Sequence, residues 1–142
     1  MPIATDDGLA DLLTSVETIA MVGASDNPAR PSHGAMQFLQ RQGYRVIPVN
    51  PALAGQTLLG ETVVTTLADI GDRIDLVDIF RNSEAAGQVV DDAIAAGAAA
   101  VWMQLGVINH DAAARAEAAG LQVVMDRCPK IEIGRLGLPR RD

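Results

Sequence analysis

The chain has 142 residues, 18 acidic against 11 basic side chains and a net charge of −7; 49% of it is hydrophobic, 3% aromatic, and its mean hydropathy is +0.17. That length suits a single domain, 1–142, with a core that needs no staples, and the apolar content excludes disorder. No apolar run approaches the roughly 20 residues of a membrane span, the acidic, aromatic-poor surface argues against nucleic acid, and one cysteine with two histidines leaves neither a disulfide framework nor a metal set.

Taken in chain order, Leu9, Leu12, Leu13 and Val16 recur at helical spacing behind Asp6 and Asp7, which offer a cap, and predict a leading helix over about 6–16. The acidic start carries no basic n-region and is no secretory signal, so a reducing, cytoplasmic location is expected. Thr18 to Val22 is a short apolar run ending at Gly23, the pattern of a buried parallel strand. Pro28 and Pro31 bar a helix from residues 24–33, and Gly34 to Gln42 then reads as a helix stopped by Gly43. Tyr44 to Val49 is a second strand, to which Pro48 is an objection, since proline suits strand ends or edges. Residues 52–60 read as a loop, 61–64 as a short extended piece and 66–70 as a helical turn.

Ile74 to Phe80 is a third strand, followed by a helix capped by Ser83 and running through Ala96. Ala99 to Met103 is a fourth strand, Asn109 or His110 opens a helix to Ala119, and Leu121 to Met125 is a fifth strand. The tail, about 127–142, holds two prolines and two glycines and reads as irregular. Alternating strands and helices predict an α/β, three-layer αβα fold: a doubly wound, Rossmann-like parallel sheet of about five strands, ordered 3-2-1-4-5.

Such sheets bind ligands beyond the carboxyl ends of their strands. Here those ends are Gly23-Ala24-Ser25, Asn50-Pro51, Phe80-Arg81-Asn82, Gln104-Leu105-Gly106 and Asp126-Arg127-Cys128. Gly23 before a helix suits a phosphate, or else is only a tight turn. The loop lacks both the Gly-x-Gly-x-x-Gly and the Gly-Lys-Ser/Thr patterns, and Asn50 replaces the acid that would hold a ribose in NAD proteins. Residues 24–33 form a long proline-stiffened insert with Arg30 as a fork for phosphate oxygens. Arg30, Arg81, Arg127 and Lys130 all fall at or just past strand ends, with Asp26 opposing them. Asp75 and Asp78 fall on opposite faces of their strand and make a poor acid–base pair.

Five collinear segments, GASDNPARPSHG (23–34), YRVIPVNP (44–51), IDLVDIFRN (74–82), AVWMQLGVIN (100–109) and VVMDRCPKIE (123–132), resemble the small free-standing CoA-binding proteins. These are similar to the CoA-binding domain of the succinyl-CoA synthetase alpha subunit. The resemblance implies a site for coenzyme A or an acyl-CoA. Gly23, Ala24 and Ser25 would lie against the diphosphate, and Arg30 and Ser32 would contact phosphates. Val49, Asn50 and Pro51 would border the adenosine, and Phe80 and Arg81 would flank the nucleotide or the start of the pantetheine. Met103, Gln104 and Gly106 would line the pantetheine. The synthetase's catalytic-histidine domain has no counterpart here, and neither His33 nor His110 matches its histidine.

The expectation is therefore a non-catalytic carrier, sensor or partner module, with no catalytic residues and no metal. It would be a monomer or homodimer, open to a protein partner but not to nucleic acid or membrane. Two alternatives stand beside it: a small enzyme acting on acyl-CoA thioesters through Cys128, and a regulatory module for NAD or an adenylate. Cys128 is either a thiol that meets the CoA thiol in an adduct or a small packed core residue.

Overall fold

A computed structural model describes residues 1–141; Asp142, the end of the predicted tail, lies outside the described residues. Five parallel strands form the central sheet: β1 (Thr18–Val22), β2 (Arg45–Val49), β5 (Leu76–Ile79), β6 (Ala100–Met103) and β7 (Gln122–Val124), ordered β2-β1-β5-β6-β7. A small antiparallel hairpin, β3 (Thr57–Leu58) with β4 (Glu61–Thr62), occupies part of the expected loop. Helices α1 (Asp6–Ser15), α2 (Pro31–Gln42) and α5 (Pro129–Leu136) cover one face, while α3 (Ser83–Ala95) and α4 (His110–Ala118) cover the other. The α/β, doubly wound class stands as expected.

The strand order departs from expectation. The third predicted strand lies beside β1 as β5, not outside β2, so the five predicted strands are met in the order 2-1-3-4-5. The outer position belongs to Val64, which forms a single parallel bridge to Val49. Its N–H donates to the Pro48 carbonyl at 3.0 Å, and its carbonyl accepts from the Asn50 N–H at 3.0 Å. A one-residue bridge leaves almost no pattern in a sequence. Every residue of β5 is buried, which only a central strand with both faces covered can satisfy. Pro48 fits the same geometry, because its carbonyl faces this outer edge, where one amide fewer is tolerated.

Alternation along the strands sorts the core. Ile19, Met21, Leu76, Ala100 and Trp102 pack under α1, α2 and α5; Ala20, Val77, Ile79, Val101 and Met103 pack under α3 and α4. Trp102 is fully buried, and its Nε1–H donates to the Arg127 carbonyl at 2.7 Å.

Helix boundaries bring further corrections. Pro31 opens α2 rather than excluding it, because the first helical position needs no N–H. The cap of α1 is Thr5, not an aspartate, and that of α3 is Asn82, not Ser83. The tail is not irregular: Pro129 starts α5 and Gly137, at φ 64°, ends it. Glu132, 4% exposed, holds that helix by accepting from Arg127 and, at 2.8 Å, from Arg135, which also reaches Asp6 on α1 at 2.8 Å. Burial alone would raise the Glu132 carboxyl, but Arg135 and Arg127 hold it below its usual range.

Asp78 sits in β5 between Met21 of β1 and Trp102 of β6. It is fully buried, and neither carboxylate oxygen has a hydrogen-bond partner among the described residues. Burial holds its carboxyl well above 3.8. The folded protein therefore keeps a proton that the unfolded chain loses, and stability falls as pH rises from about the unfolded value toward the folded one. Asp78→Asn is expected to raise the urea midpoint relative to wild type by an increment that grows with pH above about 4. An increment independent of pH in urea melts would contradict this assignment.

Candidate functional site

The carboxyl ends of β1, β5 and β6 open onto a cleft of about 870 Å³, walled by the loop after β1 and by the first turns of α2 and α5. A second cavity of about 510 Å³ lies between the end of β2, residues 65–67 and α3. Gly23, Asn50 and Arg81 border both, so the two form one crevice that passes over the end of β1. This is the position where one crossover leaves β1 for β2 and the other neighbour is β5.

Gly23 sets the close approach there. Its φ is +88°, and an added Cβ would stand 2.3 Å from the Phe80 carbonyl oxygen. Its N–H continues the ladder to the Val49 carbonyl at 3.1 Å, so this amide is spent on the sheet. Beyond it, Ser25 Oγ accepts from the Asn27 N–H at 3.0 Å, and Asn27 Oδ1 accepts from the Ala29 N–H at 2.9 Å. The insert is thus a pair of side-chain-closed turns that set Arg30 at the mouth of α2. Asn50 is engaged at both ends: its Nδ2 donates to the Ala24 carbonyl at 2.8 Å and its Oδ1 accepts from the Ala52 N–H at 2.9 Å. It pins the first loop to the second strand.

Two helix N-termini meet at the cleft, and they differ from the rest. Thr5, Asn82 and Asn109 cap α1, α3 and α4 through their side chains. Arg30 before α2 and Cys128 before α5 make no such bond, and each is followed by a proline. A missing cap costs about 1 kcal/mol per helix, and open first-turn amides with the positive end of the helix dipole are a ready anion site. The cleft wall carries Arg30, Arg81 and Lys130 and no Asp or Glu. None of these cations makes an ion pair among the described residues, while the Lys130 ammonium stands 5.9 Å from the Phe38 ring centroid.

The structure brings Gly23, Ala24, Ser25, Arg30, Ser32, Asn50, Phe80, Arg81, Gln104 and Cys128 to the cleft. Val49 and Pro51 line the second cavity. Two expected residues do not arrive. Met103 is fully buried under α3 and α4, because the alternation that puts Trp102 on one face sends Met103 to the other. Gly106 lies off the cleft wall in a turn at φ 79°, with its N–H held by Asp126 Oδ1 at 2.8 Å and its carbonyl accepting from Ser83 Oγ at 3.3 Å. Arg127, expected among the free cations, is bound to Glu132 instead. Asp26 is exposed and off the wall, so it does not oppose the cations there.

Lys130 and Asn82, expected at the strand ends, reach the cleft, while Ile131 and Val107 line it without a place in the expectation. Ile131 had a signal in the proline–glycine pair at 129 and 137, which brackets a helix. Gln104 is 7% exposed, and its Oε1 has no partner among the described residues. No helix among the described residues is long and apolar enough to cross a membrane.

The sequence matches the model of a CoA binding domain across residues 17–134. It is 36% identical to the Bacillus subtilis protein YneT over 123 residues, 87% of this chain and 90% of that one. A solved Pyrococcus horikoshii protein superposes with a TM-score of 0.89 at 38% identity, covering 96% of each chain. A Thermus thermophilus structure does so with a TM-score of 0.89 at 37% identity, over 94% of this chain and 99% of that one.

Gly23→Ala is expected to destabilise the protein by about 2 kcal/mol or more, since strain at positive φ adds to a backbone clash. A thermal midpoint unchanged in calorimetry would show that the loop yields instead.

Proposed function

The chain belongs to the CoA-binding domain family, and on that premise we propose that it binds coenzyme A or an acyl-CoA as a non-catalytic carrier, sensor or partner module. One observation carries the proposal: in a protein of net charge −7, a cleft with three cations and no acid is faced by the two helices that lack side-chain caps. A diphosphate across the end of β1 would take the open amides of α2 and the Arg30 and Arg81 forks. The adenosine would enter the second cavity beside Val49 and Pro51, and the pantetheine would run along the cleft past Phe80 and Gln104 toward Cys128. The departure from NAD rests on Asn50, whose amide is used up in holding Ala24 and offers no carboxylate to a ribose.

Calorimetry tests this. CoA is expected to bind, dephospho-CoA more weakly and NAD not detectably, with affinity falling as salt rises. Arg81→Ala should weaken CoA binding about tenfold, near 1.4 kcal/mol. Tight NAD binding without CoA binding would overturn the proposal.

A further inference from the structure

We propose that Cys128 is a covalent latch for the thiol end of the ligand, forming a mixed disulfide with CoA inside the cleft. This rests on the CoA reading above and adds a chemical step to it. Cys128 is the chain's one cysteine, is 8% exposed, and lines the cleft as the residue that precedes the first turn of α5. A buried cysteine by itself is more often packing than chemistry.

The second observation is Gln104 on the same wall. Its buried Oε1 has no donor among the described residues, an unmet acceptor that a ligand donor in the cleft would satisfy. A ligand amide N–H in the cleft supplies that donor, and the pantetheine arm carries two amides between its phosphate and its thiol. Phe80, Leu105, Val107 and Ile131 provide apolar contact for its methyl and methylene groups, and Leu105 and Ile131 are 56% and 53% exposed until something covers them.

The reach also agrees. The Arg127 N–H bonds the Met103 carbonyl at the end of β6, at 3.3 Å, which brings the start of α5 back over that strand. Cys128 therefore stands two to three strand spacings from Gly23, roughly 10–14 Å. An extended pantetheine arm has about the length of four extended residues, roughly 13 Å.

The step is a thiol–disulfide exchange with the symmetrical disulfide of CoA. The Cys128 thiolate attacks one sulfur; the Cys128 Sγ–S bond forms as the reagent's S–S bond breaks. One CoA leaves as its thiolate and takes up the proton that Cys128 released. A second thiol reverses the step, so occupancy of the latch follows the thiol–disulfide balance around the protein.

Because no other cysteine competes, the wild-type chain serves for the test. It is incubated with CoA disulfide and, in parallel, with glutathione disulfide, and its intact mass is read under denaturing, non-reducing conditions. The expected result is one CoA per chain, added at least about tenfold faster than glutathione and released by dithiothreitol. Equal rates for the two disulfides, or no CoA adduct, overturn the latch. Calorimetry with reduced CoA on the same preparation separates the two claims: binding without an adduct removes the latch alone, whereas no binding removes both.

Discussion

At the carboxyl end of β1 the backbone is packed so closely that a single methyl group does not fit. Gly23 has β2 on one side, through its bond to Val49, and the Phe80 carbonyl on the other. Pairing of β1 with β2 on one side and β5 on the other brings the backbones this close where the chain's crossovers diverge, and the crevice above stays open. Asn50 secures the arrangement from β2 by gripping the Ala24 carbonyl. The loop after β1, the first turn of α2 and the floor shared by both cavities are consequences of this packing. The glycine's part is steric, since its own amide is spent on the ladder.

The electrostatics follow from how the cations are divided. Arg127 and Arg135 are drawn to Glu132 and tie α5 to the body of the domain. Arg141 lies over Tyr44, 4.9 Å from its ring centroid, at the far end of α2. Arg30, Arg81 and Lys130 remain on the cleft wall. An acidic protein thereby presents one cationic mouth, deepened by two helix dipoles whose caps were given up at about 1 kcal/mol each. Local rules are broken here and kept elsewhere, the pattern expected where binding sets the requirement.

Much of this was legible in the residues. Short apolar runs ending in glycine or an Asn-Pro pair mark the strands, and the collinear segments carry the resemblance to CoA-binding proteins. The misses have specific causes. Val64 makes one bridge, and one residue has no periodicity, so the sequence does not show that the place outside β2 is taken and that β5 lies beside β1. Pro31 and Pro129 bar a helix interior but each is a first helical residue here, where no N–H is needed. The resemblance puts Met103 and Gln104 together at the pantetheine, although neighbours on a strand point apart. Arg127 looked as free as Arg81 because its partner, Glu132, lies a helical turn away on a helix taken for loop.

By itself the sequence determined the class of fold, the strand ends that carry the site and the family, because hydrophobic period and turn chemistry are local properties. Only the tertiary structure decided which cations face the cleft, which side chain is left without a partner and which helices go uncapped. Those depend on what meets across the sheet: Glu132 with Arg127, Trp102 with the Arg127 carbonyl, Gly23 with Phe80. The low net aromatic content and the charge of −7 were true of the whole surface. The cleft differs from that average because folding gathers three separated cations in one place and leaves the acids outside it.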